Sequence, residues 1–130
     1  MDKKMVALAF LLLAIAIVGG AFAQISLKKG VNSLEDKFSI VDILKPWNWL
    51  KIFSESPYVF AGLLLYAVGF VVWVAALTKF DVSFMYPMLS LAYVLVAVLS
   101  FFFLKESLGI YRIAGIAFVT IGTFFLLKSI

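Results

Sequence analysis

Three stretches of this chain, Met5–Leu27, Pro57–Thr78 and Val82–Leu104, hold no charged side chain over lengths that match a bilayer's hydrocarbon thickness. A helix needs about 20 consecutive apolar residues to cross that thickness. Backbone groups in lipid must bond within their own segment, so an open chain crosses as helix. A fourth run, Ile113–Leu127, is shorter and can extend at both ends. The expected fold is all-α and polytopic, a single transmembrane domain over residues 1–130. Its helices fall at about 5–27, 57–78, 82–104 and 110–128, with a loop at 28–56. The turns at Lys79–Asp81 and Lys105–Gly109 are very short, which predicts antiparallel neighbours and an up-down-up-down bundle.

Composition narrows the function. Hydrophobic residues make up 65% of the chain and charged residues 14%, against roughly half and a quarter in a soluble domain. The net charge of +4 is spread over the helix ends, which reads as lysines at lipid headgroups and not as a nucleic-acid surface. The absence of cysteine and histidine excludes thiol chemistry, Cys/His zinc sites and imidazole proton shuttles. The carboxylates (Asp2, Glu35, Asp36, Asp42, Glu55, Asp81 and Glu106) lie outside the spans or at their edges. No enzyme, cofactor or metal is expected.

The N-terminal Lys3-Lys4, apolar run and Ala21-Phe22-Ala23 imitate a signal peptide. The apolar run exceeds the 7–15 residues usual for a signal core, so a retained first helix is expected. That helix is predicted to end at Lys28-Lys29-Gly30, where cations meet a glycine suited to helix termination. In the loop that follows, Trp47 and Trp49 come just after Pro46. A short amphipathic helix over about Pro46–Phe53, lying in the membrane interface, is one reading. A loop packed on the bundle is the other. Cations near the spans divide almost evenly: Lys3, Lys4, Lys79 and Lys128 on one side, Lys28, Lys29, Lys51, Lys105 and Arg112 on the other. The positive-inside rule therefore gives no orientation, and dual insertion is compatible with it.

Small residues recur at seven-residue spacing: Gly62, Gly69 and Ala76 on the second helix, Gly115 and Gly122 on the fourth. Seven residues is close to two turns, so each set lines one face, and small faces let helices approach in lipid. The second helix is expected to use its face within the bundle, the fourth to use Gly115 and Gly122 in a dimer interface. On the third helix Pro87 removes a backbone donor and predicts a kink. Either the kink is only structural, or it opens a cavity lined by Gln24, Tyr66, Tyr86, Ser90, Tyr93 and Ser100.

Asp81–Leu127, with Tyr86–Leu91 reading YPMLSL, Glu106 in the next turn, Arg112 just beyond and the Gly115–Gly122 stripe, resembles small four-helix members of the drug/metabolite transporter superfamily. It is most similar to the flippase subunits that move aminoarabinose-phospho-undecaprenol across the bacterial inner membrane. Gln24 and Lys28 match a Q-x-x-x-K pattern similar to theirs. Most of Lys29–Glu55 lies outside the likeness. The related multidrug exporters carry a membrane-embedded glutamate in helix one; Gly20 stands there, and Pro87 stands at their helix-three tryptophan.

The resemblance implies a flippase of polyprenyl-phosphate-linked sugars or a similar amphipathic lipid in the cell inner membrane. Gln24, Tyr66, Tyr86, Pro87, Ser90 and Tyr93 would form the headgroup site, with Lys28, Glu106 and Arg112 at its rim. Neutral donors and acceptors suit the sugar, and Lys28, Lys29 and Arg112 suit the phosphate. The lysines also suit plain anchoring at headgroups, and Glu106 suits pairing with Lys105 or Arg112, or a cap on helix four. A homodimer, or a heterodimer with a related four-helix subunit, is implied because one bundle is thin. A cationic-drug exporter of the same superfamily and a non-transporting adaptor are the alternatives.

Overall fold

Glycine and serine, more than the large apolar residues, decide how the helices of this protein meet. The computed structural model describes residues 2–129. The chain is helical, with α1 at Lys3–Asn32, α2 at Ile40–Leu44, a 3-10 turn at Pro46–Asn48, α3 at Trp49–Glu55 and α4 at Pro57–Leu77. Then come α5 at Val82–Met88, α6 at Leu91–Phe103 and α7 at Ile110–Leu127. No strand occurs among the described residues. Four helical segments are long and apolar enough to cross a membrane: Lys3–Asn32, Pro57–Leu77, Val82–Phe103 and Ile110–Leu127.

The first helix corrects the expected end at Leu27. Asp2 caps its start by accepting from the Lys4 N–H, and it continues through Lys28, Lys29 and Gly30 to Asn32. Gly30 does not terminate it, because no glycine among the described residues has positive φ. Gly30 is buried against the start of α4 instead: a Cβ placed there would lie 2.6 Å from Val59 Cγ2 and 2.7 Å from the Val59 backbone nitrogen. Ser33 and Ser56 both direct hydroxyls to the Gly30 carbonyl, at 2.6 and 3.3 Å. Ser26 donates to the Tyr58 carbonyl at 2.7 Å. Such bonds satisfy polar groups where backbones come close.

The α1–α4 seam continues to Gly62, where an added Cβ would lie 2.7 Å from Leu27 Cγ. Gly62 and Ala76 are buried, as the small-residue face of the second span requires, but Gly69 meets open space. Further along, Leu13, Ile17, Ala76, Met85 and Met88 form a buried apolar cluster that joins α1, α4 and α5.

The connection between α1 and α4 has its own core of Leu34, Ile52 and Val59, with Trp49 and Phe53 packed on it. A capping box between Ser39 and Asp42 starts α2. That S-x-x-D spacing is a helix-start signal readable in the sequence. Ile40, Leu44, Trp47 and Leu50 remain exposed.

The third span is broken. Leu89 and Ser90 lie between α5 and α6 just after Pro87; Leu89 N–H still reaches Met85 O at 3.2 Å, and tight i to i+3 bonds then carry the chain across: Ser90 N–H to Pro87 O, Ala92 N–H to Leu89 O and Tyr93 N–H to Ser90 O, each 2.9 Å. The Ser90 hydroxyl meets that of Thr123 on α7 at 2.7 Å. Thr123 is the buried residue of α7, and Gly115 and Gly122 on the same helix have nothing within 4 Å of an added Cβ.

Candidate functional site

Gln24 sits late in α1, on the face turned toward α4, and its amide donates to the Tyr66 hydroxyl. This pair closes one side of a cavity of about 620 Å³ that also involves α6, α7 and the turn between them. Tyr93 and Ser100 enter it from α6, Glu106 from the turn and Arg112 from the first turn of α7; Ala16, Gly20, Ala92 and Ala97 leave the space. The break at Leu89–Ser90 borders the same space through Leu89. The lining is mainly apolar, with a few polar groups at fixed points, as is usual for small-molecule sites.

The α6–α7 turn places the ionisable groups. The Ser100 carbonyl accepts from both Leu104 N–H at 3.0 Å and Glu106 N–H at 3.2 Å. Lys105 between them takes φ 55°, the left-handed region that a non-glycine residue seldom enters. The reversal brings Glu106 back to the cavity edge, half-buried. Arg112 Nη1 donates to the Ser107 carbonyl at 3.2 Å, within the same turn. Glu106 makes neither of the contacts its position permitted. Gly109 is the N-cap of α7 with no side-chain cap, and no lysine or arginine nitrogen comes within 4.0 Å of the Glu106 carboxylate among the described residues.

A second cavity of about 260 Å³ lies beside the first and shares Ala16, Gly20, Tyr66 and Leu89 with it. Tyr86, Gly69 and Trp73 complete it. The rings of Trp73 and Tyr86 meet edge to face, with centroids 5.8 Å apart. The Trp73 indole N–H is buried without a partner among the described residues.

The structure therefore brings Gln24, Tyr66, Tyr93, Ser100, Glu106 and Arg112 to one cavity and puts Tyr86 in its neighbour. Ser90 is engaged with Thr123, and Pro87 borders neither space. Lys28 is exposed outside both cavities, while Lys29 lies over the Tyr58 ring at 4.6 Å from its centroid. Trp73 and Thr123 escaped the sequence reading. A lone threonine or tryptophan in an apolar run carries no signal of the face it occupies.

Four membrane-length helices around a cavity with scattered polar groups define a multi-pass membrane protein built as transporters are. The chain belongs to the EamA-like transporter family, whose model matches residues 3–128. It is 34% identical over 116 residues to the probable 4-amino-4-deoxy-L-arabinose-phosphoundecaprenol flippase subunit ArnF of Shewanella sediminis, covering 82% of this chain and 79% of the relative. The ArnF of Proteus mirabilis, described in the same words, is 32% identical over 107 residues, 77% of each chain. A probable flippase subunit ArnE from Pseudomonas savastanoi is 27% identical over 117 residues, 88% of this chain and 93% of that one. No solved structure matches the chain at a significant level.

Proposed function

We propose that this protein is a subunit of a flippase that carries a polyprenyl-phosphate-linked sugar, or a closely similar amphipathic lipid, across the cell inner membrane. The observation that carries the reading is the cavity in which Gln24, Tyr66, Tyr93 and Ser100 stand among apolar walls with Arg112 at the rim. The names of the relatives agree with it.

The physics of such a substrate suits this site. The lipid tail stays in the bilayer, so only phosphate and sugar need a polar passage. Sugar hydroxyls both donate and accept, as do the amide of Gln24 and the hydroxyls of Tyr66, Tyr93 and Ser100. Arginine can hold a phosphate by two parallel bonds, and Arg112 stands where a headgroup would enter. Lys28 serves at the headgroup level outside the cavity. Pro87 and Ser90 shape the break beside it, and Tyr86 lines the apolar annex. No carboxylate lies within the four uncharged runs. Proton storage of the kind that drives antiport through a buried acid thus has no residue to use there.

The working unit in this reading is a dimer, of two copies or of this chain and a related four-helix subunit. The exposed face of α7 with Gly115 and Gly122 is where the partner helix packs. The test is reconstitution of the full chain, with any subunit that co-purifies, into liposomes holding labelled polyprenyl-phosphate sugars in one leaflet. Protein-dependent appearance of the sugar in the opposite leaflet is expected. Movement no faster than in protein-free liposomes would overturn the reading.

A further inference from the structure

We infer that the Glu106 carboxylate is the specificity residue for a positively charged amino group on the sugar, so that the cavity selects zwitterionic headgroups; this rests on the flippase reading above. Glu106 is the one carboxylate in the cavity lining. It has no cation within 4.0 Å among the described residues, although Arg112 lines the same space and Lys105 is its chain neighbour. One guanidinium N–H, on Nη1, goes to the Ser107 carbonyl at 3.2 Å and turns the group along its own turn, with further donors left for a phosphate. The turn that aims Glu106 inward holds Lys105 at φ 55°, a left-handed conformation unfavourable for a lysine. A carboxylate held half-buried at the end of a membrane span, and left without a counter-ion, costs free energy unless a ligand supplies the cation.

Arg112 and Glu106 thus present opposite charges to one cavity without neutralising each other. A glycosyl phosphate fits that pair when its ring bears a protonated amine away from the phosphate-bearing carbon. The phosphate meets Arg112 and the ammonium meets Glu106. The neutral groups of Gln24, Tyr66 and Tyr93 are left for the hydroxyls between them. A neutral sugar would leave Glu106 unpaired and desolvated, which is the physical basis of rejection.

The experiment compares two probes in proteoliposomes of the full chain with any subunit that co-purifies: polyprenyl-phosphate 4-amino-4-deoxy-arabinose and its N-formyl derivative, which has no charge on nitrogen. Wild type is expected to move the amine at least about tenfold faster at limiting substrate, the ratio expected of one charge-assisted hydrogen bond. E106Q is expected to abolish that preference, and E106D to keep part of it. Equal wild-type rates for the two lipids would overturn the assignment and leave the flippase reading standing. So would an E106Q protein that keeps the preference, or that slows both lipids alike while E106D slows them too. Failure of wild type to move either lipid would instead bring down the flippase reading, and this one with it.

Discussion

The seam between α1 and α4 and the outer face of α7 both carry glycines in membrane-length helices, yet they are packed in opposite ways. At Gly30 and Gly62 the neighbouring helix stands where a Cβ would go, at 2.6–2.7 Å. At Gly115 and Gly122 nothing lies within 4 Å. A glycine in an apolar helix is therefore not in itself a packing site. It becomes one when polar stitches such as Ser26 to Tyr58 and Ser56 to Gly30 hold two backbones together. Lipid is as apolar as the side chains it touches, so burial alone gives no preference between the two faces.

The comparison is open to direct attack, most strongly at Gly30. Gly30→Ala drives a methyl into the Val59 backbone nitrogen, which cannot move aside as a side-chain tip can. Overpacking of this kind costs about 1–3 kcal/mol, and the upper part of that range is expected. An unfolding titration in detergent micelles reads it, and an unchanged midpoint would show that the seam is not close-packed.

A smaller effect tests how α7 is held. The Ser90–Thr123 bond should have a coupling energy of about 0.6 kcal/mol, and no more than about 1.7, in a double-mutant cycle of Ser90→Ala with Thr123→Val. Zero coupling would detach α7 from the broken span.

At the other pole of the comparison, Gly115→Ala and Gly122→Ala should not destabilise the bundle, and better helix propensity raises stability by up to about 1 kcal/mol. Leucine at both positions should reduce cross-linking between copies, or to a partner subunit, in membranes. Undiminished cross-linking would free that face from any role in assembly.

The mildest effect lies outside the membrane. Hydrogen bonds from the Ser39 hydroxyl and N–H, with Lys45 nearby, hold the Asp42 carboxyl below the ordinary range; the Lys37 ammonium at 2.8 Å does the same for Glu55. Each depressed pKa means that the ionised form is favoured in the folded loop. The contribution is whole above the usual carboxylate pKa near 4 and is lost as pH falls through the lower folded value. Fluorescence of Trp47 and Trp49 should stay constant from about pH 7 to 5 and change only below about pH 4. A transition near neutrality would contradict the ion pairs.

Much of the architecture was legible because charge cannot enter hydrocarbon cheaply. The second span runs from Pro57 to Leu77 and the third from Val82 to Phe103. The first was misread at its C-terminal end for a definite reason. Lys28-Lys29-Gly30 has the composition of a helix stop, but the lysines point out from a continuing helix and the glycine faces Val59. Of the site, the neutral set Gln24, Tyr66, Tyr93 and Ser100 was readable as uncommon polar groups in apolar runs, and the structure brings these to one cavity. Ser90 shared that signature and turned instead to Thr123.

By itself the amino-acid order determined that the chain lives in a bilayer as helices, because unpaired backbone groups and ions are intolerable in oil. It also put a proline in the third span, which brings no donor to the ladder there. Only the tertiary structure decided which glycines touch a neighbour and which cavity each polar side chain faces. It alone left Glu106 facing a cavity without a counter-ion among the described residues. These depend on the rotation of each helix about its axis and on the fold of one tight turn, and in lipid those are set by contacts between segments far apart in sequence.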